Sequence, residues 1–212
     1  KIRFRRLRLD LEQRSIPSDA KLMVSALDDR TKASGFYHLQ MGSSPAFRRL
    51  VMLDERLSGL KKARNSDVVF FTRSTFETSP DIWSSNLTFN EINRISRANP
   101  QQHEYLWGTA ELTTWKASDG QVLQGILYKP ENFDATKKYP MIVYFYERYS
   151  DRLHSYYPPA AGRSTINFSF YVSRGYVVFI PDIPYKTGEP GPSAANSILP
   201  GVDHLVKQGF VD

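Results

Sequence analysis

Two nearly continuous apolar runs, Tyr139-Pro140-Met141-Ile142-Val143-Tyr144-Phe145-Tyr146 and Tyr176-Val177-Val178-Phe179-Ile180, constrain this 212-residue chain more than any other feature. A strand wet on one face alternates apolar and polar residues, whereas a run without alternation has both faces covered. Between the runs, residues 164–174 read as a helix that stops at Arg174-Gly175. Strand, helix and strand in that order predict a parallel pair buried inside a sheet. A second helix is predicted over 193–208, with Ile198, Val202, Leu205 and Val206 as its apolar stripe and Gly209 as its stop.

Upstream of the first run, residues 111–116 and 122–128 flank Ser118-Asp119-Gly120, which predicts a hairpin. A hairpin leading into strand, helix, strand and helix is the opening of an α/β-hydrolase sheet. Phe210-Val211-Asp212 falls where its next strand is expected to begin. Before about residue 103 the pattern is different. Short runs at 2–9, 21–27, 36–41, 49–53, 67–73 and 81–85 alternate or cluster apolar residues between turn signals, and only 54–65 reads as a short helix. Strands at this density predict antiparallel sheet, as in a sandwich, a barrel or propeller blades, and about 100 residues hold two blades of ~40–50 residues. The expected fold class is therefore mixed: β-propeller-like antiparallel blades over 1–103, followed by a partial α/β-hydrolase domain over 104–212.

Composition narrows the chemistry. There is no cysteine, which removes disulfides, thiolate metal sites and cysteine nucleophiles, and leaves the compartment open. A periplasmic or secreted parent protein is the compartment favoured, with a cytoplasmic one compatible. The net charge of +6 comes from the first hundred residues, where basic residues alternate with apolar ones in Ile2-Arg3-Phe4-Arg5 and Arg6-Leu7-Arg8-Leu9. That is the wet face of a half-buried strand, with no nucleic-acid motif beside it. No run approaches the ~18 apolar residues of a membrane helix. The four histidines, at 38, 103, 154 and 204, have no ligand spacing, and neither GxGxxG nor a P-loop occurs, so no metal and no cofactor are expected. Asn86-Leu87-Thr88 and Asn167-Phe168-Ser169 match glycosylation sequons, at a frequency chance explains.

LTTWKASDGQVLQGILYKPENFDATKKYPMIVYFY, residues 112–146, resembles the start of the catalytic domain in the prolyl oligopeptidase family of serine peptidases. The stretch from Phe71 through Trp83 to Asn99-Pro100 resembles the last propeller blade of the dipeptidyl peptidase and acylaminoacyl peptidase branches. Arg174-Gly175 through Asp182, and Gly201 through Asp212, are also similar to segments of the family, the latter to the helix just upstream of its nucleophile strand. The resemblance covers roughly 65–212. It implies a parent that hydrolyses short peptides by acyl transfer through a Ser-His-Asp triad, with a propeller admitting only small substrates. No GxSxG elbow occurs in the chain, so the triad is expected outside it, and the chain alone is expected to be inactive. The expected partners are the short peptide substrate and either the remainder of the same polypeptide or a second copy covering the open sheet edge. An α/β-hydrolase esterase, and a non-catalytic binding module or inactive relative, are the alternatives.

One catalytic element of the family maps onto the chain. Tyr146 matches the tyrosine that donates its hydroxyl to the oxyanion in prolyl oligopeptidase and dipeptidyl peptidase, unless it is simply the last core residue of its strand. The glycines that normally follow are replaced by Glu147 and Arg148. Glu147 and Arg148, with Asp151 and Arg152, form a charged loop that either holds a substrate terminus or is solvated and locally ion-paired. Asp182, at the same edge, reads as structural rather than as the triad acid, and residues 184–191 read as shaping backbone.

Overall fold

The computed structural model describes residues 1–10, 12–160 and 166–212, which form two compact units, Lys1–Pro100 and Gln101–Asp212. Unit 1 is built from two four-stranded antiparallel meanders. The first runs β1 (Ile2–Arg6), β2 (Lys21–Asp28), β3 (Ser34–Gln40), β4 (Ala46–Leu53), and the second β5 (Arg56–Lys62), β6 (Val68–Ser74), β7 (Asp81–Asn86), β8 (Ile92–Arg94). Each strand pairs with its neighbour in sequence. Side chains at the turns set the register: Asp28 Oδ1 accepts from the N–H groups of Arg30 (2.8 Å) and Thr31 (3.0 Å), and Asn86 Oδ1 from that of Thr88 (3.1 Å).

Alternation sorts the strands between a dry face and a wetter one. On β6, Val69 and Phe71 are fully buried while Val68 and Phe70 are exposed. The core joins Met23, Phe36 and Val51 of the first sheet to Leu57, Leu60, Val69 and Phe71 of the second, with Phe89 between them. The Phe36 ring lies 5.8 Å from Phe71 and 5.3 Å from Phe89. Polar anchors tie the second sheet. Asp81 is buried and accepts from Arg94, from Ser96 Oγ (2.7 Å) and from Ala98 N–H (2.8 Å). Glu55 receives a two-pronged bond from Arg73, which also lies 4.1 Å from the Trp83 ring centre.

The short helix expected over 54–65 is instead the β4–β5 turn and strand β5. Leu53, Leu57 and Leu60 have helical spacing, which is why the segment reads as one. A bulge reconciles that spacing with a strand. Gly59 takes φ +65°, the register slips between Ser58 and Lys61, and the extra residue turns both Leu57 and Leu60 inward.

Unit 2 carries one mixed sheet in the order β11-β12-β10-β9. Its strands are β9 (Thr109–Lys116), β10 (Val122–Lys129), β11 (Met141–Val143) and β12 (Val177–Pro181), and its helices α1 (Phe168–Val172) and α2 (Pro190–Lys207). β9 and β10 form the antiparallel hairpin, β10 runs antiparallel to β12, and β11 pairs parallel with β12. On the free side of β11, Tyr139 bridges Val211 in parallel: Tyr139 N–H donates to Phe210 O (2.8 Å) and Asp212 N–H to Tyr139 O (3.0 Å). Every residue of β12 is buried, as an unalternating run requires. Its neighbouring run is shorter than its apolarity implies: of residues 139–146, only Met141–Val143 form a strand. The expected helix at 164–174 begins at Phe168, and residues 164 and 165 lie outside the described residues.

The helices lie on opposite faces of the sheet. Phe168 of α1 stacks on Tyr128, while Leu205 of α2 joins Leu127, Val177 and Phe179, which alternate to the other side. Of the apolar stripe expected on α2, Leu205 is buried and Val202 packs half-buried against the same cluster, whereas Val206 faces solvent. Its buried positions are Ser193, Ser197, Gly201 and Leu205, and Leu199 and Val206 are exposed. Small residues at i, i+4 and i+8 let the helix approach the large rings beneath. A Cβ on Gly201 would stand 2.9 Å from atoms of both Phe179 and Trp115. Pro200 lies inside this helix and supplies no N–H to the carbonyl of Asn196. That carbonyl accepts instead from Ser118 N–H (3.1 Å) in the hairpin turn, where Asp119 and the Asn196 side chain exchange two more hydrogen bonds.

Candidate functional site

In unit 2 the parallel strands β11 and β12 bring their C-terminal ends to one edge, where ligands of α/β sheets bind. The segment leaving β11 is held there from both sides. Tyr144 N–H continues the ladder to Phe179 O (3.0 Å), and Ile183 N–H donates to Glu147 O (3.0 Å). Beyond that, Asp182 Oδ1 accepts from the N–H groups of Tyr149 (2.6 Å) and Ser150 (2.8 Å), and its Oδ2 accepts from Ser150 Oγ. Ser150 is completely buried and opens a 3-10 turn, Ser150–Arg152. Along this segment residues 145–148 are exposed, and Tyr146 is 75% exposed.

The flanking residues Tyr144 and Tyr149 belong to an aromatic cluster centred on Phe168, with Tyr128 stacked at 4.7 Å and Tyr157 edge-on at 5.1 Å. Tyr144 and Tyr149 lie at 5.9 and 6.2 Å. Burial pushes the Tyr128 and Tyr149 hydroxyls well above the usual phenol range, reinforced in each case by Tyr157, so both stay neutral. Arg152 covers Tyr149, its guanidinium carbon 5.0 Å from the ring centre. Arg148 pairs with Asp151 at 3.4 Å, so the charged loop is at least partly ion-paired within itself.

Tyr146, Glu147 and Arg148 are thus adjacent and solvent-facing on one anchored loop. Their φ angles are ordinary: among the described residues, positive φ outside glycine occurs only at Lys32, Phe89 and Asn99. The loop therefore follows its path without the two glycines that Glu147 and Arg148 replace. Asp182 has the structural environment expected of it, since its carboxylate is occupied by Tyr149 and Ser150. What the residues alone did not reveal is its partner, Ser150. The available signal was a serine four residues beyond one apolar run and an aspartate that closes the next one.

The remaining polar motifs do not converge on this edge. His38 sits on β3 of unit 1, its pKa lowered by burial and then by Lys21 and Arg48. His204 bonds Gln208 on α2, and His154 is half-buried. Among the described residues no group of three or more His, Cys, Asp or Glu could hold a metal ion, and no helix is long and apolar enough to cross a membrane. Both sequon asparagines serve local structure: Asn86 organises its turn, and the Asn167 side chain caps α1 by accepting from Phe170 N–H (3.1 Å). Residues 184–191 lead into α2, with Lys186 N–H donating to Ser193 Oγ (3.0 Å).

No family model matches the chain, and no curated protein does. Solved structures do. A candidate dipeptidyl aminopeptidase IV from Bacteroides ovatus superposes with a TM-score of 0.67 at 18% identity, over 92% of this chain and 29% of that one. The AtxE2 isopeptidase with Astexin3-dC4 bound gives 0.65 at 14%, over 92% and 31%. The acylaminoacyl peptidase of Pyrococcus horikoshii gives 0.60 at 15%, over 88% and 29%. The chain thus spans about three-tenths of the length of these structures, and at such identities what it shares with these peptidases is the fold.

Proposed function

We propose that the chain is part of a serine peptidase of the prolyl oligopeptidase family, unit 1 being the end of its β-propeller and unit 2 the front half of its α/β-hydrolase domain. The observation that carries this reading is the strand order in unit 2. Reading from β9, the sheet runs β9, β10, β12, β11 and then the parallel bridge to Val211, so the chain passes outward, doubles back, and crosses over. That reversal is a topological switch point, and the loop bearing Tyr146 leaves the sheet beside it. Unit 1 agrees, because both outer faces of its sheet pair carry exposed apolar side chains among polar ones. Phe4 stacks on Phe47 over Val24, Ala26 and Tyr37 on one side, and Val68, Phe70 and Ile82 lie on the other. Further blades of the same polypeptide would cover them.

In this reading a serine outside the chain, activated by a histidine and an aspartate also outside it, attacks the peptide carbonyl. Tyr146 donates its hydroxyl to the oxygen as negative charge develops there. Glu147 and Arg148 hold a charged terminus of the short peptide. Residues 1–212 alone would not hydrolyse peptides, because a donor without a nucleophile stabilises a transition state that never forms. Tyr146→Phe in the full-length protein tests the assignment. It is expected to lower kcat about 10²–10³-fold with little change in KM, as loss of one preorganised oxyanion donor does. Unchanged kcat would sink it.

A further inference from the structure

The Tyr146 hydroxyl makes no hydrogen bond to any described residue, and its ring is largely in solvent. Its place is therefore set by the backbone that carries it. That backbone is fixed just beyond Tyr146 by one side chain, Asp182, which takes two main-chain N–H groups and a buried hydroxyl. Ile183, the next residue, holds the Glu147 carbonyl. The last residue of β12 is Pro181, so Asp182 and Ile183 are the first residues beyond a fully buried strand, and their positions are as firm as the sheet. We propose that Asp182, acting with Ser150, is a positioning residue that aims the Tyr146 hydroxyl; this rests on the oxyanion role given to Tyr146 above.

A donor to a developing oxyanion helps only if it is already in place when charge appears, since reorientation during the reaction forfeits the gain. An exposed tyrosine on an untethered loop would fail that condition. Here the carboxylate accepts from main-chain groups only three and four residues beyond the tyrosine, and with charge-assisted bonds, which are shorter and stronger than neutral ones. Asparagine at 182 could still accept both N–H groups through Oδ1 and donate to Ser150 Oγ through its amide. Alanine could do neither.

The test compares Asp182→Ala, Asp182→Asn, Ser150→Ala and Tyr146→Phe in the full-length protein, alone and combined, reading kcat, KM and melting temperature on a short chromogenic peptide. Asp182→Ala is expected to lower kcat about 10²-fold with KM changed less than about threefold, and Asp182→Asn to recover most of the loss. Combined with Tyr146→Phe, either Asp182→Ala or Ser150→Ala should add little, because the pair acts through one hydroxyl. If Asp182→Ala fails to fold, the Ser150→Ala and Tyr146→Phe cycle carries the test, with a several-fold fall in kcat that vanishes in the Tyr146→Phe background. Effects that multiply, or wild-type kcat in Asp182→Ala, would overturn the positioning role while leaving Tyr146 intact as donor. An unchanged Tyr146→Phe enzyme would overturn both.

Discussion

The two units solve the problem of a strand's second face in different ways. In unit 1 every strand pairs with its neighbour in sequence, one face meets the other sheet, and the alternation of Val68, Val69, Phe70 and Phe71 records which side is which. In unit 2 strand β12 is buried on both faces, and helices on each side replace water. Antiparallel meanders need only turns between strands, whereas a parallel pair needs long crossovers. Those crossovers have ends and loops, and they gather at one edge. The site of unit 2 is a product of that topology. Unit 1 has no parallel pair among its described residues, so no such C-terminal edge is defined there.

The comparison breaks first at the cores. Phe71→Ala in unit 1 and Phe179→Ala in unit 2 each remove a ring with no exposure, and each is expected to cost about 3–5 kcal/mol in denaturant unfolding. A loss under about 1 kcal/mol at either would show that unit's core to be loosely packed. Next come the polar anchors. Asp81→Ala removes the acceptor of the Ser96 hydroxyl, of the Ala98 N–H and of Arg94, whose remaining charge reaches solvent, an expected loss of about 1–3 kcal/mol.

The same aspartate makes unit 1 acid-sensitive. Burial pushes its pKa up, but the bonds from Ala98, Ser96 and Arg94 outweigh it and hold the carboxyl below its ordinary value of 3.8. A depressed folded pKa contributes stability that is present above the unfolded value and is lost as pH falls below about 4. Hydrogen exchange at β7 and β8 should therefore accelerate in that range for the natural protein and much less for Asp81→Asn. Equal acid responses would contradict the sign. A smaller effect sharpens unit 2. Gly201→Ala drives a methyl into Phe179 and Trp115, for an expected loss of about 1–3 kcal/mol, while Leu199→Ala on the exposed side of α2 should change stability by under about 0.5 kcal/mol. Reversed magnitudes would show that the helix docks through its larger residues after all.

How much the residues disclosed follows from the same contrast. Alternation is local, so β1 to β4, β6 and β7 were legible; β8 was missed because three residues are too few to show a pattern, and β5 was misread because the bulge at Gly59 gave Leu57 and Leu60 helical spacing. The parallel pair was legible as two unalternating runs, but not how early the first leaves the ladder, since Tyr144, Phe145 and Tyr146 are as apolar as the strand before them. The docking face of α2 was legible only in part: hydrophobicity marks Val202 and Leu205, which pack on the core, and also Val206, which does not, but it says nothing of Ser193, Ser197 and Gly201, which close approach to Trp115 and Phe179 selects. At the site, Tyr146, Glu147 and Arg148 were visible as neighbours in sequence. The hydrogen bonds from Tyr149 and Ser150 to Asp182 span more than thirty residues, and no local pattern encodes them.

The most direct measurement is labelling of the full-length protein with a fluorophosphonate, followed by mapping of the adduct. The peptidase reading predicts one modified serine, outside residues 1–212, with labelling slowed by Tyr146→Phe. No adduct on the folded protein, or an adduct on a serine within these residues, would contradict it.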